Sequence, residues 1–139
     1  METAAETQQR LVADFAEFSD DPFSLYEYLL GFSAELPVMP DGERELAALV
    51  EGCQSRVWLR VIRGHTGRLT IALDSDTLIV RGVLNAIVQI YSNRSDEDIL
   101  STDFTFLEQT GLADLFSAER QSGIKAVMAA IRNAVSRAT

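Results

Sequence analysis

The residue with the greatest chemical reach in this chain is its one cysteine, Cys53, set in the run Gly52-Cys53-Gln54-Ser55. A single thiol cannot close an intramolecular disulfide, and alone it cannot supply a multi-thiolate zinc or iron–sulfur site. Three uses remain: packing as a small buried hydrophobe, nucleophilic attack, or carrying a covalent adduct. Placement after a glycine, between a helix-like segment and the strand-like run Val57-Trp58-Leu59-Arg60-Val61-Ile62, leaves all three open. The one histidine, His65, is a conceivable base for the thiol, but the intervening strand separates the two by roughly 20 Å at strand rise. His65 therefore reads as an exposed turn residue. Asp74 and Asp76 form a carboxylate pair whose commoner use, next to a helix start, is capping rather than acid–base chemistry. The sole lysine, Lys125, lies in an amphipathic helical pattern with no recognisable setting for a Schiff base. No glycine-rich phosphate loop is present, because Gly64 and Gly67 belong to a hairpin turn. These residues predict a protein with no metal and no cofactor of its own.

Composition narrows the partners. Of 139 residues, 47% are hydrophobic, enough for one core, and a single domain over 1–139 is expected. The net charge is −9, and it is unevenly spread: residues 1–51 carry 12 Asp/Glu against two Arg, whereas residues 52–139 are nearly neutral. Such a chain, without an Arg/Lys stripe interleaved with aromatics, is a poor candidate for binding nucleic acid or an anionic membrane. The acidic half reads mainly as solvated helix faces, with capacity to steer a basic protein partner. No segment approaches the ~20 apolar residues of a membrane span. The acidic start lacks the pattern of a signal peptide, and a free thiol suits a reducing compartment, so a cytoplasmic location is expected.

The elements that must position the thiol follow from periodicity. Leu11, Phe15 and Phe18 mark an N-terminal amphipathic helix, ended by Asp20-Asp21-Pro22. A second helix is expected over residues 23–34, then a proline-interrupted loop, then a short helix through Leu46, Leu49 and Val50. Val57, Leu59 and Val61 alternate with polar or half-wet neighbours, and Leu69, Ile71 and Leu73 return after the Gly64-His65-Thr66-Gly67 turn, giving an antiparallel hairpin. Two strands are marginal by themselves, so further support is required, although no third strand stands out. Leu78 to Tyr91 is apolar nearly all round and predicts a central helix. Ser95-Asp96-Glu97-Asp98 opens a short helix in capping-box fashion. Phe104, Phe106 and Leu107 add to the core, and a last helix to about Ser136 carries Ile124, Val127, Met128, Ile131 and Val135 on one stripe. Arg56, Arg60 and Arg81 read as solvated, and Arg63 and Arg94 as turn residues. The order indicates an α+β fold with helices laid on a small antiparallel sheet.

The runs Glu51-Gly52-Cys53-Gln54-Ser55-Arg56-Val57-Trp58-Leu59, Leu29-Leu30-Gly31 followed by Leu36-Pro37, and Asp74-Ser75-Asp76-Thr77-Leu78-Ile79-Val80-Arg81-Gly82, with Arg120, Gly123, Ala126 and Ile131-Arg132 near the end, form one set of motifs. Together they resemble the SufE family of sulfur-accepting proteins. The resemblance runs over about residues 11–136. Two departures are Ala48, where the family often has Asn, and Glu119-Arg120-Gln121-Ser122-Gly123, which keeps the Arg and Gly of the family pattern but not its Ser and amide.

The resemblance implies a SufE/IscU-like fold and a sulfur relay. Cys53 would take persulfide sulfur from a pyridoxal-phosphate cysteine desulfurase, stimulate that enzyme, and pass the sulfur to an iron–sulfur scaffold complex. The protein would thus be a carrier rather than a stand-alone enzyme. A non-catalytic adaptor with a structural cysteine is the alternative. An iron–sulfur scaffold is disfavoured because it needs several cluster ligands. The expected docking face surrounds the loop: Gln54, Ser55 and Arg56, with Gly52 giving backbone latitude and, by the resemblance, Asp76 and Arg120.

Overall fold

The computed structural model describes residues 2–138. Helix α1 (Ala4–Ala16) opens with a closed capping box: the Thr3 hydroxyl accepts from the Glu6 N–H, and the Glu6 carboxylate accepts from the Thr3 N–H. Asp21 caps α2 (Pro22–Ser33), whose first-turn proline has no N–H to leave unpaired. Phe15 of α1 meets Tyr28 and Phe32 of α2 edge-on, with ring centroids 4.6 and 5.3 Å apart. It meets Phe106 in the same manner at 4.9 Å, and this aromatic knot joins three helices.

A short α3 (Asp41–Leu46) precedes three strands, β1 (Ala48–Leu49), β2 (Val57–Arg63) and β3 (Leu69–Ser75), in the antiparallel order β1-β2-β3. This corrects the expectation of a helix through Leu49 and Val50 and supplies the third strand. Ala47 turns extended at ψ 153, Ala48 and Leu49 pair with Leu59 and Trp58, and the Val50 N–H donates to the Val57 carbonyl. Leu46 and Leu49 are exposed, so a longer helix would bury no apolar face. Pairing with the open edge of β2 satisfies the backbone instead.

The buried face of the sheet comprises Val57, Leu59, Leu69, Ile71 and Leu73. Against it lies α4 (Leu78–Tyr91), the expected central helix, with nine buried residues. α2 crosses α4 closely enough that a Cβ on Gly82 would sit 2.8 Å from the Leu29 carbonyl oxygen. Beyond α4 come α5 (Asp96–Ser101), α6 (Phe106–Thr110), a 3₁₀ turn (Leu112–Leu115) and the long α7 (Ala118–Arg137), which packs on β2 and α5. The outer edge of β3 is taken by the chain after α4: Leu69 exchanges backbone hydrogen bonds with Asn93 and Arg94, and the Ile71 N–H donates to Ser92 Oγ. Helices on a small antiparallel sheet make the fold α+β.

Three further expectations are corrected. Asp74 caps no helix; it is 1% exposed and accepts four hydrogen bonds, from the Met39 and Ser75 N–H groups and from Arg44 and Arg81. Burial raises its pKa, but these donors outweigh burial and hold the carboxyl below its ordinary value. Arg81 is not solvated: besides Asp74 it donates to the Ser33 and Leu36 carbonyls, tying α4 to the end of α2. Arg94 is buried, donating to the Ile90 and Glu2 carbonyls and to Thr7 Oγ1. All three errors share a cause, since ion pairs and carbonyl contacts between residues remote in sequence leave no periodic trace.

Candidate functional site

Cys53 lies on the six-residue loop 51–56 between β1 and β2. The loop departs from β1 through Gly52, whose φ of 92° lies in the region that favours glycine. A Cβ there would also sit 3.3 Å from Ala126 Cβ of α7. The thiol is half-buried and donates to the Gly123 carbonyl, with Sγ to O at 3.2 Å. Around it is a pocket of about 20 Å³, walled by Val57, Val80, Leu84, Ile124 and Val127 and rimmed by Ser55 and Arg120. That volume is close to what one water molecule occupies. Burial pushes the thiol pKa up, and the nearby Arg120 guanidinium pulls the other way without cancelling it.

The two residues after the cysteine are fastened to the same helix. Gln54 Nε2 donates to Glu119 Oε2 at 3.2 Å, and Arg120 Nη1 donates to Ser55 Oγ at 2.9 Å. Positions 119, 123 and 126 share one face of α7. The loop therefore runs antiparallel along the first turns of that helix, which Ser117 caps through the Arg120 N–H.

The far end of the loop is gripped by the junction between β3 and α4. Asp76 Oδ1 accepts from the Arg56 N–H at 3.1 Å, and Ser75 Oγ donates to the Arg56 carbonyl at 2.7 Å. Thr77 bridges the two anchorages: its hydroxyl bonds Ser55 Oγ at 2.7 Å and Asp76 Oδ1 at 3.1 Å. A continuous polar chain thus links Arg120, Ser55, Thr77 and Asp76.

The residues expected at the site, Gly52, Cys53, Gln54, Ser55, Arg56, Asp76 and Arg120, are brought together. Arg56 joins through its backbone alone; its side chain is exposed and makes no hydrogen bond or ion pair among the described residues. His65 is exposed beyond the opposite end of β2. Sequence reasoning missed Glu119, the Gly123 carbonyl, Ser75 and Thr77 as loop partners. Ser75 and Thr77 stand inside a recognised motif, whereas Glu119 had only its position beside Arg120 to suggest it. Among the described residues, no group of three or more His, Cys, Asp or Glu side chains is placed to hold a metal ion. No helix of the described residues is long and apolar enough to cross a membrane.

In its overall path the chain is similar to a hypothetical protein from Thermus thermophilus known from a solution structure. The TM-score is 0.71 at 17% identity, covering 99% of this chain and 98% of that one; at this identity the likeness speaks for the fold alone. The family assignment comes from sequence: the family model described as "SufE: Fe-S metabolism associated domain" matches residues 9–135. With nearly its whole length matched, and with the cysteine loop, the β3–α4 junction and the start of α7 meeting at one place, the chain belongs to the SufE family and to iron–sulfur metabolism.

Proposed function

We propose that this protein is a sulfur acceptor for a pyridoxal-phosphate cysteine desulfurase. In this reading the Cys53 thiolate attacks the outer sulfur of the persulfide on the desulfurase's own cysteine. The donor S–S bond breaks, its thiolate leaves with the bonding pair, and Cys53 carries the new S–S bond as a persulfide. No net oxidation occurs, and no cofactor of this chain takes part. A thiolate of an iron–sulfur assembly complex then attacks the outer sulfur in turn and frees Cys53.

The observation that carries the reading is the setting of Cys53. In a SufE-family chain, the only thiol sits on a glycine-started loop held to a helix mainly by side chains. With its pKa pushed up by burial, the thiol is neutral and quiet at rest. Drawing the loop away from α7 removes this burial and lets the thiolate form. The pocket beside Sγ has room for about one further atom, which suits a sulfur stored out of water. The docking face comprises Gln54, Ser55, Arg56, Asp76 and Arg120. Of these, Arg56 has the guanidinium most available to a partner's carboxylate. Stimulation of the desulfurase follows from removing its persulfide and so freeing its cysteine for another turnover.

The test is sulfur uptake. Incubation with a cysteine desulfurase and free cysteine, followed by intact-mass measurement, should add sulfur to the wild type and none to Cys53→Ser. The serine hydroxyl can still donate to the Gly123 carbonyl, so the fold should be retained at little cost in stability. Sulfur on the Ser variant would refute the assignment. An unmodified wild-type protein after the same incubation would favour the adaptor reading, in which the half-buried thiol is only packing.

A further inference from the structure

The loop that carries Cys53 is anchored unequally. At its far end, Arg56 is held through both backbone groups by Asp76 and Ser75. The Asp76 N–H also donates to the Arg56 carbonyl at 3.4 Å, so this end is held by three bonds to its main chain. Between Gly52 and Arg56 the attachments to α7 are one thiol contact and two side-chain bonds. A thiol is a weak donor, so the contact to Gly123 holds little. The bond from Arg120 is reinforced, because its Ser55 acceptor is itself bonded to Thr77. The remaining bond joins two exposed side chains, Gln54 and Glu119, which face each other across the mouth of the cysteine pocket; both line it.

We propose that Glu119 is a positioning residue for Cys53: its carboxylate accepts the Gln54 amide and latches the loop over the thiol, so that this bond sets how often the thiol is exposed. The residue touches neither Sγ nor any reacting atom and acts through Gln54. It stands in the first turn of α7, where the helix start already favours a negative charge, so the latch adds no electrostatic strain to the helix. Opening requires this bond to break first, because it is the outermost of the three and the only one wholly exposed to solvent. A partner offering its own acceptor to Gln54, or a donor to Glu119, would therefore release the loop on contact. The proposal deepens the sulfur-acceptor reading and rests on it for its purpose, but its test does not need a desulfurase.

The test is the rate at which iodoacetamide alkylates Cys53 in the intact chain at neutral pH. Glu119→Ala and Gln54→Ala should each react about fivefold faster than wild type, the factor expected from about 1 kcal/mol of net hydrogen bonding. The double variant should react no faster than either single one, as two halves of one bond require. Glu119→Gln, whose amide oxygen still accepts from Gln54, should stay near the wild-type rate. Thermal midpoints should fall by no more than a few degrees in the alanine variants, the shift that the loss of one such bond gives a chain of this size. Wild-type rates in the alanine variants, multiplicative effects in the double variant, a fast Glu119→Gln, or a fall in the thermal midpoint well beyond a few degrees would each overturn the latch. Sulfur uptake from a desulfurase is scored separately. If Cys53 takes no sulfur while the alkylation pattern holds, the sulfur-acceptor reading falls and the latch remains. If sulfur is taken up while the pattern fails, only the latch falls.

Discussion

Two connections flank the short edge strand β1, and they are fixed by opposite means. The segment before it, residues 34–47, is held from below by Asp74, which receives the Met39 N–H and Arg44 from that segment. Arg81, locked to the same carboxylate, also grips the Leu36 carbonyl, and Arg44 lies 4.2 Å over the Trp58 ring. The loop after β1, residues 51–56, has no buried charge in its middle and is fastened by side chains that reach solvent. A buried carboxylate that loses its partners becomes very unfavourable, so the first connection is effectively permanent. An exposed hydrogen bond exchanges readily for water, so the second can release. The same edge of the sheet thus presents a rigid shoulder beside a detachable cysteine.

The largest effect should come from the rigid side. Asp74→Ala strands two arginines and two amide N–H groups, and should cost about 3–5 kcal/mol, measured as a fall in the urea midpoint. The sign with pH is fixed by the lowered carboxyl pKa. The stabilisation is complete above the unfolded value of about 3.9 and is lost as pH falls through the lower folded value. The gap between wild type and variant should therefore be full at neutral pH and close only in strong acid. A loss under about 1 kcal/mol would mean that the shoulder is not rigid.

On the detachable side, Gly52→Ala places a side chain at φ 92° and brings its Cβ to 3.3 Å from Ala126. The strained backbone should cost about 1–2 kcal/mol, felt in the loop. Cys53 should alkylate faster while the core unfolds nearly as before. Equal loss by core and loop probes would erase the contrast between the two connections.

Gly123→Ala has the opposite sign. Its Cβ would meet Cys53 Sγ at 3.6 Å, an ordinary contact, and a helix gains about 0.5–1 kcal/mol from alanine over glycine. Thermal unfolding should shift upward by a few degrees at most, and the thiol should become less accessible. A drop in the midpoint would show that the loop presses on α7 more tightly than these distances imply.

The smallest effect is alkaline. A thiol whose folded pKa is raised contributes stability below the unfolded value, about 8.5, and loses it as pH rises through the folded one. Between neutral pH and pH about 10, wild type should lose slightly more thermal stability than Cys53→Ser. Parallel curves would mean that the closed loop shields the thiol less than its burial suggests.

How much of this was readable beforehand follows the range of each interaction. Helix α4 matched its expected bounds because its signal, continuous apolar residues between a turn and a break, is local. The hairpin of β2 and β3 was equally plain from alternation around two glycines. Ala48 and Leu49 form a strand too short to show a period of two, and what makes them strand is the edge of β2. Asp74 looked like a cap because Asp-Ser-Asp before an apolar helix is a capping string; the donors that bury it come from residues 39, 44 and 81 as well as the adjacent Ser75. Cys53 could be singled out as the unique thiol, and Arg120 and Asp76 by motif. Glu119 could not, since it meets Gln54 only because 65 residues of chain fold back.

The way the sheet's two margins are finished bears on how the molecule behaves among its own copies. A bare strand edge is a template on which other chains can add strands and build aggregates. Here one margin is only two residues long, and the other is occupied by the backbone of residues 93–94 and the hydroxyl of Ser92. A protein that holds a loop loosely over its reactive end runs the hazard of that end exposing sticky backbone whenever it opens. With so short a margin next to the loop, opening bares a thiol and a few polar side chains but little ladder for a neighbour to extend. Reversible encounters with partners can then recur without each one risking a fibre.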